Sequence, residues 1–173
     1  MTEKEFYNAV SNGHEDILQI FLNYLSSEGA NYCVIGGLAV NAYVEPVVSL
    51  DLDVIIAMEQ IEALCQATAA HFVIERFAHS INLSTQKSAV RIQLQTDPRY
   101  ADFIGRASTR TVLGYSMRVA SLEDVLQGKI WVYSDETRRK SKRQKDLADI
   151  ARLVEAYPEL NDRLPDSIRQ RLA

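Results

Sequence analysis

The chain has 173 residues, 47% of them hydrophobic and 24% charged, with a formal net charge of −4. This is the balance of a folded globular protein, and it excludes disordered, collagen-like and low-complexity chains. No apolar run approaches the roughly 20 residues of a membrane span, and the acidic total speaks against a protein that coats nucleic acid through bulk charge.

Thr2 and Glu5 have the spacing of a capping box, so a helix is expected from about Glu3 up to the Asn12-Gly13 break. The charged Met1–Glu5 opening carries no apolar stretch of signal-peptide type. Cys33 and Cys65 lie in apolar surroundings without a CxxC spacing and read as reduced core residues of a cytoplasmic protein. Ile17, Leu18, Phe21, Leu22 and Leu25 recur at helical spacing, and Gly29 suits the end of that helix. Tyr32–Ile35 reads as a buried strand running into Gly36-Gly37. Residues 38–43 are compatible with a helix, which Pro46 ends. Residues 47–57, rich in β-branched side chains, are expected to form one strand. A helix over 59–70 and strands over 72–77, 80–84 and 89–96 follow. In the last of these, Val90, Ile92 and Leu94 alternate with Arg91, Gln93 and Gln95, giving one buried and one polar face. Pro98 opens a short helix to about Ile104, and 111–120 reads as a strand bent at Gly114. Ser121 caps a helix to about Ser134, 138–157 is a long helix, and a last one lies within 158–172. The fold class is therefore α+β. The chain is expected to form one domain over 1–173, with a core over about 30–120 and a helical part over about 121–173.

Asp51 and Asp53 are two apart on a strand, so they share a face, with Cα atoms about 6.5–7 Å apart. Two acids between Val47-Val48 and Val54-Ile55-Ile56 are costly unless liganded or paired. The alternative is an edge position facing water. Oxygen ligands of this kind suit Mg²⁺ or Mn²⁺, which arrive with substrate phosphates. Gly36 and Gly37 allow backbone N–H groups to approach a phosphate, although alone they describe only a tight strand-to-helix turn. Residues 138–145 hold six cations and no acid. Such a run is either a solvated helix face or a patch for a phosphate-bearing ligand.

The segment VIGGLAVNAYVEPVVSLDLDVII resembles the core of the DNA polymerase beta-like nucleotidyltransferase superfamily, with its Gly-Gly/Ser motif followed by Asp-x-Asp. Within it, the segment looks most like the small toxin-type (AbiEii-like) and minimal nucleotidyltransferases. VASLEDVLQGKI and RRKSKRQKDLADIARL extend the resemblance over roughly residues 30–155. The resemblance implies a mixed β-sheet flanked by helices, with C-terminal helices. It also implies transfer of a nucleotide from an NTP to a hydroxyl of RNA, protein or a small molecule, and the likeness to toxin-type members implies a toxin–antitoxin setting. Asp51 and Asp53 would hold the metal ions, and Gly36 and Gly37 would cradle the phosphates. Ser49 would orient phosphate or Asp51. Lys129, expected to be partly exposed, would neutralise the triphosphate, and Lys145 and Asp146 belong to the same site. Asp146 and Asp149 read alternatively as surface charges pairing with Arg143 or Arg152.

Two positions depart from the superfamily pattern. Gln93 stands where a third carboxylate is expected, offering a neutral oxygen but no charge, and Asp97 or Asp102 are the acids nearby in sequence. Val47 stands where many relatives carry arginine. Two functions are thus in competition: a metal-dependent nucleotidyltransferase, or a catalytically degenerate fold that binds a nucleotide or a partner without turnover. A nucleic-acid-binding module built on the basic helix is a third reading, which the acidic total disfavours.

Overall fold

A computed structural model describes residues 1–173. Helices α1 (Glu3–Val10) and α2 (Ile17–Ser27) lead into β1 (Tyr32–Ile35) and the short helix α3 (Gly36–Val40). Then come β2 (Asp51–Ile56), α4 (Ile61–Thr68), β3 (Val73–Arg76), β4 (Ser80–Thr85) and β5 (Ser88–Gln95). After α5 (Phe103–Arg106), β6 (Ser108–Val112) and β7 (Tyr115–Val119), the chain ends in α6 (Leu122–Ser134), α7 (Lys140–Ala156) and α8 (Asp166–Leu172). Met58–Gln60, Pro98–Tyr100 and Pro158–Arg163 are 3-10 turns. The seven strands form one mixed sheet in the order β3–β4–β5–β2–β1–β7–β6. The β2–β5 and β1–β7 pairs are parallel and the rest antiparallel. This is the α+β architecture expected from the sequence.

The local signals act as their chemistry dictates. The Thr2 hydroxyl accepts from Glu5 N (3.1 Å) while Thr2 N donates to the Glu5 carboxylate (2.6 Å), closing the capping box. Asp16 caps α2, whose Ile17, Leu18, Phe21, Leu22 and Leu25 are all buried. Gly29 follows it with φ +60, the left-handed conformation a helix end favours. On β2, Leu52, Val54 and Ile56 are buried, as are Val90, Ile92 and Leu94 on β5, where α2 packs. The two-residue period turns Asp51, Asp53, Arg91, Gln93 and Gln95 to the opposite face. There Gly128 and Lys129 of α6 and Lys142 of α7 stand across from them. Cys33 and Cys65 are buried and unpaired. No helix is long and apolar enough to cross a membrane.

Two segments differ from the sequence-based expectation. Residues 47–50 are not part of β2. The Asn41 side chain donates to Val47 O (2.7 Å) and accepts from Val47 N (3.0 Å), while the Tyr7 hydroxyl donates to Ser49 O (2.9 Å). Those side chains hold the backbone groups that a strand neighbour would otherwise engage, and Val47 is left 52% exposed. Residues 111–120 are not one bent strand either. Leu113 (φ 50) and Gly114 (φ 82) make a reversal between β6 and β7, with Val112 opposite Tyr115.

Candidate active site

β1 delivers the chain to Gly36, whose φ is +72. A Cβ there would stand 2.3 Å from Asp53 Oδ2, so both the backbone angle and the carboxylate require glycine. Gly37 lies in the first turn of α3, against Ser49; a Cβ on it would be 3.3 Å from Ser49 Oγ. Ser49 is buried, and its hydroxyl lies 3.4 Å from Asp51 N. It thus supports the backbone of Asp51, and its hydrogen bonds do not reach the Asp51 carboxylate.

The parallel β2–β5 register sets Asp51 beside Arg91 and Asp53 beside Gln93. Arg91 Nε lies 3.1 Å from Asp51 Oδ1, an ion pair at the solvent edge. Burial pushes the Asp53 carboxyl above the ordinary carboxylate range; Lys129 opposes that shift and Asp51 adds to it. Gln93 therefore stands beside Asp53 as a neutral amide. No group of three His, Cys, Asp or Glu side chains converges here or elsewhere. Asp97 does not supply the missing acid, because it caps the Pro98–Tyr100 turn and pairs with Arg99 at 2.9 Å. Neither Asp97 nor Asp102 lines the cleft that holds Asp51 and Asp53.

Lys129 is 5% exposed, against the expectation of a partly exposed side chain. Its Nζ lies 3.1 Å from Asp146 Oδ1 and 2.8 Å from Asp149 Oδ2, the latter a charge contact outside hydrogen-bond geometry. Asp146 also takes Arg138 Nε at 2.7 Å, and Asp149 takes Arg152 at 2.9 Å. Asp146 and Asp149 are thus not surface charges. They are buried acids that each hold two cations, and Asp146 faces those cations rather than an open anion position. Helix propagation makes this possible: positions 146 and 149, three apart on α7, present both carboxylates to α6. Lys142 and Lys145 pair with no acid. Lys145 is exposed, but it borders the same cleft.

The cleft has two lobes. One is wholly polar, lined by Gly37, Ser49, Asp51, Asp53 and the cationic side chains of Lys129, Arg138, Lys142 and Lys145, with Asp146 behind them. The other shares Asp51, Asp53, Lys129, Arg138 and Lys142, then turns neutral, with Gln93, Gln95, Tyr100, Gly128, Val132 and Ile35. Gly36, Gly37, Ser49, Asp51, Asp53, Gln93, Lys129, Lys145 and Asp146 are therefore brought together. The sequence singles out neither Arg91 nor Tyr100, whereas Lys142 falls within the basic run 138–145. Arg91 was legible in principle, since it alternates onto the face of Gln93; no local pattern marks Tyr100.

A family model described as nucleotidyl transferase AbiEii toxin, type IV TA system, matches residues 20–173. No curated protein matches the chain in sequence. Among solved structures, the chain is similar to ANT(2'')-Ia in complex with adenylyl-2''-tobramycin, with TM-score 0.62 and 16% identity over 91% of this chain and 97% of that one. It is also similar to the lincosamide antibiotic adenylyltransferase LnuA in its lincomycin-bound form, with TM-score 0.57 and 12% identity over 82% and 99%. A nucleotidyltransferase-like protein from Paracoccidioides brasiliensis matches with TM-score 0.56 and 20% identity over 90% and 84%. Identities this low speak to the fold, which is the nucleotidyltransferase fold.

Proposed function

The chain belongs to the AbiEii nucleotidyl transferase family, and from that premise we propose that it moves a nucleotidyl group from an NTP to an acceptor hydroxyl with the help of Mg²⁺ or Mn²⁺. The observation that carries this is the meeting of the two lobes at Asp51 and Asp53. An NTP laid through the cleft has its terminal phosphates against Gly37, Lys142, Lys145 and Arg138, its α-phosphate at the aspartates, and its nucleoside in the neutral lobe.

The donor set fits a hard divalent cation. Two carboxylates share a face, and burial and mutual repulsion make the charge on Asp53 costly, a cost that a cation offsets. Asp51 and Asp53 would hold it, and bound there it would supply charge neutralisation at the α-phosphate. The chain's own residues do the rest. Lys142, Lys145 and Arg138 bind the triphosphate. Lys129, balanced by Asp146 and Asp149, sets the field at Asp53. Gln93 orients the acceptor hydroxyl but takes no proton. The acceptor oxygen bonds to the α-phosphorus as its proton passes to solvent, the bond from that phosphorus to the oxygen bridging to the β-phosphate breaks, and pyrophosphate leaves. The whole chain acts as one domain, and its family membership suggests a role as a toxin in a toxin–antitoxin pair.

A second reading, binding without turnover, is favoured by one observation: the neutral Gln93 beside Asp53, with no acid in its place. Transfer of label from α-labelled NTP to total RNA, to protein or to small-molecule acceptors separates the two. Label in any acceptor, lost in Asp53→Asn, supports the enzyme. Metal-dependent NTP binding with no label transferred under any condition supports the binding module. Growth arrest on expression, relieved by Asp53→Asn, tests the toxin role; unimpaired growth contradicts it.

A further inference from the structure

Three tyrosines are buried almost completely: Tyr7, Tyr100 and Tyr115. The Tyr7 hydroxyl donates to Ser49 O at 2.9 Å and the Tyr115 hydroxyl to Asp16 Oδ1 at 2.8 Å. Buried hydroxyls need such partners, since an unpaired one costs about 1–3 kcal/mol. Tyr100 is 1% exposed, and its hydroxyl bonds to no protein atom. Yet it is not among the sealed, unpartnered polar atoms, which are Asn82 Oδ1 and Asp149 Oδ2 alone. The small exposed area of Tyr100 therefore includes its oxygen, and the cavity it borders is the neutral lobe of the cleft.

The ring behind that oxygen is held firmly. Phe103 and Trp131 meet it edge-on, with centroids 5.4 and 5.0 Å away, and they stack on each other at 5.7 Å. The Arg99 guanidinium covers the Trp131 ring at 4.8 Å. On α6, Gly128 lies against the ring, where a Cβ would sit 3.4 Å from Tyr100 Cε1. A donor on a rigid aromatic stem, unpaired within the protein and opening into a cleft, is organised to meet a ligand.

We propose that Tyr100 is a nucleoside-contacting residue, whose hydroxyl donates a hydrogen bond to the nucleoside part of the NTP. This rests on the reading of the cleft as an NTP site. The lobe around it supports a nucleoside over a phosphate. Gln93 and Gln95 are neutral and Val132 and Ile35 are apolar; of the two unpaired cations, Lys145 borders only the other lobe and Lys142 stands where the two lobes meet. Burial pushes the Tyr100 hydroxyl up to about 12, so it remains a donor at neutral pH.

Tyr100→Phe keeps the ring and its aromatic contacts and removes only the oxygen. Calorimetry with Mn²⁺ compares wild type and variant for ATP, CTP, GTP, UTP and inorganic tripolyphosphate, with melting curves run alongside. The expected result is a 3- to 10-fold loss of affinity for the best-bound NTP, with tripolyphosphate affinity and melting temperature unchanged. Equal NTP affinity in the two proteins overturns the role of Tyr100 and leaves the NTP site standing. An equal loss for tripolyphosphate also overturns it, since the hydroxyl would then act on phosphate or on the fold. Failure of wild type to bind any NTP overturns the site reading and this inference together.

Discussion

Gly36 and Asp53 fit together so closely that a single added carbon on the glycine would lie 2.3 Å from the carboxylate. The turn from β1 into α3 and the acid on β2 are therefore one unit, although they lie 17 positions apart in the chain. Gly36→Ala must either twist a left-handed backbone or push Asp53 aside. We expect a loss of about 1–3 kcal/mol and loss of any stabilisation by Mn²⁺. Melting curves with and without Mn²⁺ check this; a variant that melts and responds like wild type contradicts it.

Lys129 stands between two buried acids, so replacing it strands negative charge. Lys129→Met is expected to cost about 3 kcal/mol, read by urea unfolding. Adding Asp146→Asn to it should cost less than the sum of the single changes, because that acid has lost its need for the lysine. Strict additivity would mean that the buried pair does not act as a unit.

If Asp51 holds the proposed cation, Arg91 competes with it for that carboxylate. The pair is exposed, so it contributes little to stability. Arg91→Gln is expected to tighten Mn²⁺ binding about two- to five-fold at low salt, with the difference shrinking as salt screens the guanidinium. Titration of Mn²⁺ at two ionic strengths measures it, and weaker binding in the variant would show that Arg91 assists the site.

Burial holds the Asp53 carboxyl above the ordinary carboxylate range, with Lys129 opposing that shift and Asp51 adding to it. Without metal, Asp53→Asn removes the group whose ionisation burial opposes, so the variant is expected to gain on wild type as pH rises above the ordinary carboxylate range, by roughly 1 kcal/mol or about 2–4 °C in melting temperature. The same change should abolish stabilisation by Mn²⁺. A destabilised variant that still responds to Mn²⁺ would place the cation elsewhere.

Much of this arrangement was legible from local chemistry. The capping box at Thr2 and Glu5, the alternation along β5 and the pairing of Gly36-Gly37 with Asp51 and Asp53 are patterns of a few residues, and each appears as read. Resemblance puts Gln93 where a third carboxylate is expected, and it is the β2–β5 register that sets it beside Asp53. What was not legible depends on distant partners. Val47 reads as strand by composition, but Asn41 captures its backbone. Leu113 gives no sign of the positive φ that makes the β6–β7 reversal, since leucine rarely adopts it. The burial of Lys129 depends on acids 17 and 20 residues further on. Tyr100 becomes informative only when the unmet hydroxyl and the cleft are seen together.

Calorimetric titration of NTP, with and without Mn²⁺, into wild type and the Asp51→Asn/Asp53→Asn double variant bears on the central claim most directly. The account predicts NTP binding by wild type that needs the metal and vanishes in the double variant while the fold persists by circular dichroism. NTP binding that is independent of Mn²⁺, or that survives loss of both acids, would contradict it.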